Sequence, residues 1–214
     1  MVFKKVSRVK IPDATIRRLS LYDRCLEELK KSGNKIVSSS DIARKCGTNP
    51  AQIRKDFAYF GEFGVRGVGY YVENLQVDIK MALGIDRPWL CALVGAGNLG
   101  FALLGTDSLE KRGFKISAIF EKDPILVEMG SFQDIPLFSM EMMSQVISDL
   151  DIHIGLIAVN PDTALKVAHN LIDSGIKGIL NFTPATLKVP PGIVLKNVDF
   201  AIDLEGIAFQ LSNQ

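Results

Sequence analysis

The apolar positions of this chain follow a helical period in the first third and then shorten into brief uncharged runs. Between Asp13 and Ser32, Ile16, Leu19, Tyr22, Leu26 and Leu29 recur at spacings of 3, 3, 4 and 3. That is one stripe of an amphipathic helix. Asp13 suits the N-cap, and Gly33 suits the left-handed position after the last turn. Ser40 is placed to cap a short helix, Asp41–Cys46, which Gly47 closes. Asn49-Pro50 opens a third helix, Pro50–Phe60. Asn is a strong cap, Pro fits the first helical position, and Gln52 stands where a capping box takes its side chain. Ile53, Phe57 and Phe60 share one face of that helix. Val72, Leu75, Ile79 and Leu83 predict a further helix ended by Gly84, and residues 84–88 read as a short linker.

Beyond the linker the pattern is strand, then helix, repeated. Trp89–Val94 is uncharged and fits a buried parallel strand. Lys115–Phe120, Ile152–Val159, Gly178–Phe182 and Val194–Phe200 read as further strands. Asn98–Lys111 and Pro161–Ser174 read as helices, the second closed by Gly175. Such alternation predicts a parallel α/β sheet. The last ten residues, Glu205–Gln214, read as a short helix whose Ile207, Phe209 and Leu211 are too apolar to stand alone. A second subunit is the expected cover.

Charge separates the same two regions. Residues 1–70 carry 15 Lys and Arg against 7 Asp and Glu, a net +8, while residues 71–214 carry 10 against 17, a net −7. The whole-chain value of +1 hides this split. A basic head on an acidic body points to a polyanion as the head's partner. The third helix sharpens that reading. Opposite its apolar face lie Ala51, Gln52, Arg54, Lys55, Ala58 and Tyr59. These combine hydrogen-bonding groups for bases and phosphates with small alanines that permit close approach. A short helix, a glycine turn and such a helix make the helix-turn-helix pattern. Gly61, Gly64, Gly67 and Gly69 then surround Arg66, as in a tight β-ribbon with an arginine at its tip. A wing arginine of that kind fits a narrow minor groove. The alternatives are a solvated charged face and an ordinary hairpin.

The first strand of the body runs into Gly95-Ala96-Gly97-Asn98-Leu99-Gly100, a G-x-G-x-x-G in the strand-to-helix context that a dinucleotide site requires. The first glycine permits the turn, the second admits a pyrophosphate, and the third lets helix and strand pack closely. Glu121 ends the second strand, 21 residues past Gly100. A carboxylate there accepts from ribose hydroxyls and repels a 2′-phosphate, which favours NAD(H) over NADP(H). Lys122 blurs the preference. Asn160 and Pro161, and likewise Thr183 and Pro184, fall at strand C-terminal ends, where open parallel sheets bind ligands.

Other classes have little support. Cys25, Cys46 and Cys91 form no C-x-x-C, and reduced thiols in a cytoplasmic protein are the simplest reading. With two histidines, a metal site has few ligands. The first thirteen residues lack the apolar run of a signal peptide, and the longest uncharged run, Pro88–Thr106, holds four glycines and suits no membrane span. An NAD-dependent oxidoreductase is the rival reading. It needs a general acid or base beside the hydride acceptor. His153 and His169 fall inside a strand and a helix, and there is no Tyr-x-x-x-Lys pair. A metabolite-binding module without DNA leaves the basic head unexplained.

Four stretches carry a resemblance: IPDATIRRLSLY (11–22), IRKDFAYFGEFGVRGVGY (53–70), LVGAGNLG (93–100) and GIKGILNFTPA (175–185). In them the chain resembles the Rex family of redox-sensing transcriptional repressors. The resemblance implies an α/β protein: a winged helix-turn-helix domain (1–84), a Rossmann-type NAD(H)-binding domain (85–204) and a domain-swapped C-terminal helix (205–214). It implies a cytoplasmic homodimer, not an enzyme, that binds a palindromic double-stranded operator and is released by NADH, with NAD⁺ favouring or permitting binding. The residues expected on DNA are Ser40, Ala51, Gln52, Arg54, Lys55, Tyr59, Arg66, Gly67 and Tyr70. Those expected on the cofactor are Gly95, Ala96, Gly97, Asn98, Leu99, Gly100, Glu121, Lys122, Asp123, Val159, Asn160, Pro161, Asn181, Phe182, Thr183, Pro184 and Phe200. The family's switch, an arginine on the first helix and an aspartate near the end of the sheet, falls on Arg24 and Asp199. An aromatic hydroxyl present in some relatives is replaced here by Thr106.

Overall fold

The structure, a computed structural model, describes residues 11–61, 63–105 and 109–213; Thr106 lies outside them. Its contacts divide the chain between Arg87 and Pro88 into two units. The first holds α1 (Asp13–Lys31), β1 (Ile36–Val37), α2 (Ser39–Cys46), α3 (Pro50–Ala58), β2 (Tyr70–Tyr71) and α4 (Val72–Leu83). Leu19, Tyr22 and Leu26 of α1, Ile42 of α2, Ile53 and Phe57 of α3, and Leu75 and Ile79 of α4 form one buried cluster. Phe57 sits at its centre, edge-on to Tyr22, Phe63 and Tyr70 at ring distances of 5.8, 5.0 and 5.4 Å. The two-residue strands pair antiparallel, Ile36 with Tyr71 and Val37 with Tyr70. The hairpin that leads back to them closes at Val65 and Gly69, with Arg66-Gly67-Val68 at its tip. This is a helix-turn-helix with a small wing.

Helix starts differ from the sequence expectation for a local reason. Ser38, not Ser40, caps α2. Its Oγ accepts from the Asp41 N–H at 3.2 Å, while the Asp41 carboxylate accepts from the Ser38 N–H at 2.9 Å. Three serines compete for the cap, and the aspartate three residues on selects the one that completes the reciprocal pair. Pro12 takes the N-cap of α1, leaving Asp13 as its first helical residue. Asn49 does cap α3, accepting from the Gln52 N–H at 2.8 Å. The Gln52 side chain, however, turns forward along α3 and completes no capping box.

It turns toward Asp56, which is wholly buried on α3. Arg18 of α1 grips that carboxylate with two nitrogens, Nε to Oδ2 and Nη2 to Oδ1, both at 2.7 Å. The Tyr22 hydroxyl donates at 2.8 Å, Thr15 Oγ1 at 3.2 Å and Gln52 Nε2 at 2.9 Å. Burial by itself pushes the Asp56 carboxyl up, but the donors from Arg18, Tyr22 and Gln52 outweigh it and hold the group below the usual carboxylate range. The network fixes α3 against α1.

The second unit is built on a seven-stranded sheet. Its elements are β3 (Trp89–Val94), α5 (Asn98–Leu104), β4 (Phe114–Glu121), α6 (Pro124–Glu128), β5 (Ser131–Phe132), β6 (Ile135–Ser139), α7 (Met143–Asp149), β7 (Ile154–Ile157), α8 (Pro161–Asp173), β8 (Gly178–Asn181), β9 (Val194–Asn197) and α9 (Phe200–Ser212). The strand order is β5-β6-β4-β3-β7-β8-β9, parallel except for β5. Alternate residues of β3 feed opposite layers. Ala92 and Val94 join α7 and α8, while Cys91 and Leu93 join Leu104 of α5. All three cysteines are free thiols. Burial pushes Cys91 up to about 12, which suits core packing and not nucleophilic chemistry.

The pattern overran several ends. α5 stops at Leu104 before Gly105 and does not reach Lys111; Glu110–Arg112 is a separate helical turn. β7 spans Ile154–Ile157 and β9 stops at Asn197. The last helix begins at Phe200, five residues before the expected Glu205, because Asp199 caps it by accepting from the Ala201 N–H at 2.9 Å. Residues 124–149, for which the apolar pattern named no element, supply α6, β5, β6 and α7.

Removing the Asp56 carboxylate leaves the buried Tyr22 and Thr15 hydroxyls and the half-buried Arg18 guanidinium without their acceptor, so Asp56→Ala is expected to destabilise the first unit by about 1–3 kcal/mol at neutral pH. A carboxyl lowered by folding contributes stability that is complete above its unfolded value near 4 and is lost as pH falls through the folded value. The unfolding free energy of Asp56→Asn, measured by urea titration followed by circular dichroism, should therefore fall less between pH 5 and pH 2 than that of the native chain.

Candidate functional sites

The outward surface of the first unit is α3 and the wing. Ala51, Arg54, Lys55 and Ala58 are exposed, with Gln52 and Tyr59 half-buried at the flanks. The burial of Ile53, Asp56 and Phe57 sets this rotation. Arg54 is partly tethered, its Nη1 donating to Ser39 Oγ at 2.9 Å. That bond ties the basic face to the start of α2, where Ser40 is exposed as well. Arg66 and Gly67 stand exposed at the wing tip. Tyr70 differs from the rest of the expected DNA set. Its ring packs on Phe57, and burial raises its hydroxyl above the usual tyrosine value, so it supports the wing from inside.

The second unit has a cleft of about 640 Å³ at the C-terminal ends of β3, β4 and β7. Gly95 turns the chain there with φ +101°, and a Cβ on it would stand 2.4 Å from the Ala158 carbonyl oxygen. A Cβ on Gly100 would stand 2.1 Å from the Gly95 carbonyl oxygen. Both positions are therefore held to glycine by close packing. Gly97 is different: nothing lies within 4 Å of where its Cβ would be. A ligand can approach the backbone at that point. Glu121 closes one side. Its Oε2 accepts from the Ala96 N–H at 2.7 Å, and its Oε1 accepts from the N–H groups of Lys122 and Asp123 at 2.7 and 3.2 Å. The carboxylate is thus pinned at the end of β4 beside the glycine turn.

Of the expected cofactor residues, Gly95, Gly97, Glu121, Lys122, Val159 and Asn160 line this cleft. Asn98 and Leu99 are exposed on the first turn of α5, while Ala96 is buried behind it. Asp123 instead caps α6, accepting from the Ile125 N–H at 2.9 Å. Pro161 opens α8 and is exposed. Asn181 is wholly buried and spent inside the protein. Its Nδ2 donates to the carbonyls of Thr183 and Ala185 and to Asn197 Oδ1, and its Oδ1 accepts from the N–H and hydroxyl of Thr183. Asn181 and Thr183 therefore shape the loop after β8, leaving Phe182 half-buried and Pro184 exposed. Phe200 is 60% exposed at the start of α9. Arg24 is exposed on α1, and Asp199 belongs to the other unit.

The cleft also has walls that the sequence reading missed: Met140, Glu141, Thr163, Lys166 and Asn170. Thr163, Lys166 and Asn170 follow one another at spacings of 3 and 4, so they mark a polar stripe on α8 beside its buried Ala164, Ala168 and Leu171. That stripe was readable once the helix was placed. Hydrogen bonds from the Ser139 side chain and from its own backbone hold Glu141 below the usual carboxylate range. The cleft thus combines backbone, two carboxylates and two lysines around an apolar floor of Val94, Phe120 and Ala158. These residues fit a dinucleotide: open backbone at Gly97 for a pyrophosphate and a fixed carboxylate at Glu121 for ribose hydroxyls.

Known proteins share both halves. Residues 10–58 match the family described as "Putative DNA-binding protein N-terminus", and residues 86–185 match "CoA binding domain". The protein named "Redox-sensing transcriptional repressor Rex" in Solidesulfovibrio magneticus is 46% identical over 94% of this chain and 91% of its own length. The protein of the same name in Syntrophobacter fumaroxidans is also 46% identical, over 95% of this chain and 97% of its own. A solved structure described as "Crystal structure of RSP in complex with beta-NAD+ and operator DNA" superposes with a TM-score of 0.90 at 37% identity, covering 96% of this chain and 94% of that one. A second, "Crystal structure of RSP in complex with beta-NADH", gives 0.84 at 35% identity, covering 96% of each. On this evidence the chain belongs to the Rex family of redox-sensing transcriptional repressors.

Proposed function

We propose that this chain represses transcription by binding operator DNA through α3 and the wing, and that NADH bound in the cleft of the second unit releases it. The observation that carries the reading is the pairing, in one polypeptide, of a basic winged helix with a glycine-turn cleft that has a pinned carboxylate. Relatives that match nearly the whole chain are named redox-sensing transcriptional repressors, and related structures hold NAD⁺ with operator DNA and NADH.

In this reading α3 lies in the major groove, with Gln52, Arg54 and Lys55 on base edges or phosphates, and Arg66 reaches the minor groove. Gly97 admits the pyrophosphate and Glu121 holds the adenosine ribose. The cofactor supplies a charge difference. Its oxidised nicotinamide ring is cationic, the reduced ring is neutral, and an apolar enclosure favours the neutral ring. Only a difference in affinity between the two dimer states can move the equilibrium. Coupling of about 1–3 kcal/mol per site corresponds to roughly 5- to 150-fold.

The assembly we propose is a homodimer on a palindromic operator, working in the cytoplasm. α9 supports it: Phe200, Ile202, Leu204, Ile207, Phe209 and Leu211 are all 54–71% exposed. So large an apolar surface calls for cover, and a second copy supplies it in the swapped arrangement expected of α9. Arg24 and Asp199 form the switch pair in this scheme. We read the cofactor as a signal and not as a reagent. His153, packed edge-on against Trp89 at 5.3 Å, and His169, exposed on α8, both lie outside the described cleft lining.

Lys55→Ala and Arg66→Ala should each weaken operator binding about 10-fold while NADH affinity, measured by calorimetry, stays within twofold. Joint loss of both would report unfolding. The logarithm of the native binding constant should fall with the logarithm of salt concentration at about 0.9 per phosphate neutralised. A flat response in a gel shift from 50 to 200 mM salt would count against the DNA role. Gly97→Val fills the open approach at the glycine turn, and Glu121→Ala removes the ribose acceptor. Each should leave DNA affinity intact and raise the NADH concentration needed for release by about 10-fold or more.

A further inference from the structure

We propose that Gln52 reads DNA in one polarity: its Oε1 accepts from the exocyclic amine of an adenine or cytosine in each half-site, and Asp56 is the positioning residue that sets this polarity. The proposal rests on the operator-reading function above.

The two ends of a glutamine amide are alike in size and opposite in hydrogen-bonding sense. A free surface glutamine turns either end to a ligand. Gln52 is not free, because its amide meets Asp56 Oδ1 at 2.9 Å. An ionised carboxylate only accepts, so the atom facing it is Nε2. The reverse orientation would press two acceptor oxygens together. Asp56 cannot turn away to relieve this. Arg18 holds both of its oxygens, and Tyr22 and Thr15 add one donor to each. Thr15 and Tyr22 are themselves buried in α1, so the clamp is anchored outside the reading helix. Among the described residues, the Gln52 side chain makes this one hydrogen bond, through nitrogen, and its oxygen and the second Nε2 hydrogen remain to be used.

Its position suits that use. Gln52 sits in the first turn of α3, beside exposed Ala51 and ahead of exposed Arg54 and Lys55. The N-terminal turn of a recognition helix is the part that reaches base edges. In the major groove adenine N6 and cytosine N4 donate, while guanine O6 and thymine O4 accept. An Oε1 that meets a base edge there selects amino bases over keto bases.

The test uses the full-length protein and synthetic palindromic duplexes that it selects from a randomised pool. Each adenine or cytosine of the half-site is replaced in turn by an analogue lacking the exocyclic amine, purine for adenine and 2-pyrimidinone for cytosine. At one position amine removal should weaken binding roughly 5- to 150-fold. Gln52→Met, of similar length without the amide, should weaken the parent duplex by a like factor and lose no more when that amine is removed. Coupling of Gln52 to a guanine O6 or thymine O4 would overturn the proposal, as would a Gln52→Met protein equally sensitive to every amine. Asp56→Asn should relax the choice between amino and keto bases at that position alone, an effect that mere loss of stability would not produce. If that variant does not fold by circular dichroism, the Gln52→Met cycle decides by itself. A native protein that selects no duplex would overturn the DNA-reading function and this proposal together.

Discussion

Asp56 is a charge with no exposure, and the geometry of the surface proposed to read DNA depends on how that charge is satisfied. Five hydrogen bonds from four side chains converge on it, three of those side chains belonging to α1. A hydrophobic contact between two helices tolerates small rotations. A bidentate guanidinium on a buried carboxylate does not, because each lost bond leaves a desolvated partner. The network therefore fixes the rotation of α3 more narrowly than Ile53 and Phe57 could alone. It also explains why the face opposite those two residues, with Ala51, Arg54 and Lys55, is presented to solvent as one surface.

The second unit solves a related problem with backbone. Gly95 and Gly100 allow β3 and α5 to meet at distances that exclude any side chain, while Gly97 is left with room around it. Glu121 reaches across from β4 to the Ala96 N–H, so strand end and glycine turn are one rigid piece. A cofactor held there would meet fixed groups and lose little binding energy to ordering them. Differential affinity for two redox states then has to come from what surrounds the nicotinamide. In the proposed dimer the exposed apolar face of α9 would supply that surrounding.

Much of this was legible in residue order, and the misses have identifiable causes. The stripe Leu19–Tyr22–Leu26, the Asn49-Pro50 start and the strand Trp89–Val94 leading into the glycines all stand as read. Local rules decide these. The cap of α2 was misplaced because three serines satisfy the same rule and only the Asp41 partner chooses between them. Asn181, expected at the cofactor, is a buried hub because its partners Thr183, Ala185 and Asn197 come together only in the folded loop. Residues 124–149 make only short elements, and brief segments carry too few positions to show a period. Lys166 and Asn170 were hidden for a different reason. Their polar stripe is visible, but its facing a cleft depends on the crossing of α8 over the sheet.

The central claim is that the redox state of one bound dinucleotide sets the grip on DNA. It is tested most directly by fluorescence anisotropy of a labelled operator duplex, titrated with the native protein at fixed salt while total cofactor is constant and the NADH to NAD⁺ ratio is varied. The account predicts that apparent affinity falls at least about fivefold as NADH replaces NAD⁺. Identical binding curves with NADH, with NAD⁺ and without cofactor would contradict it.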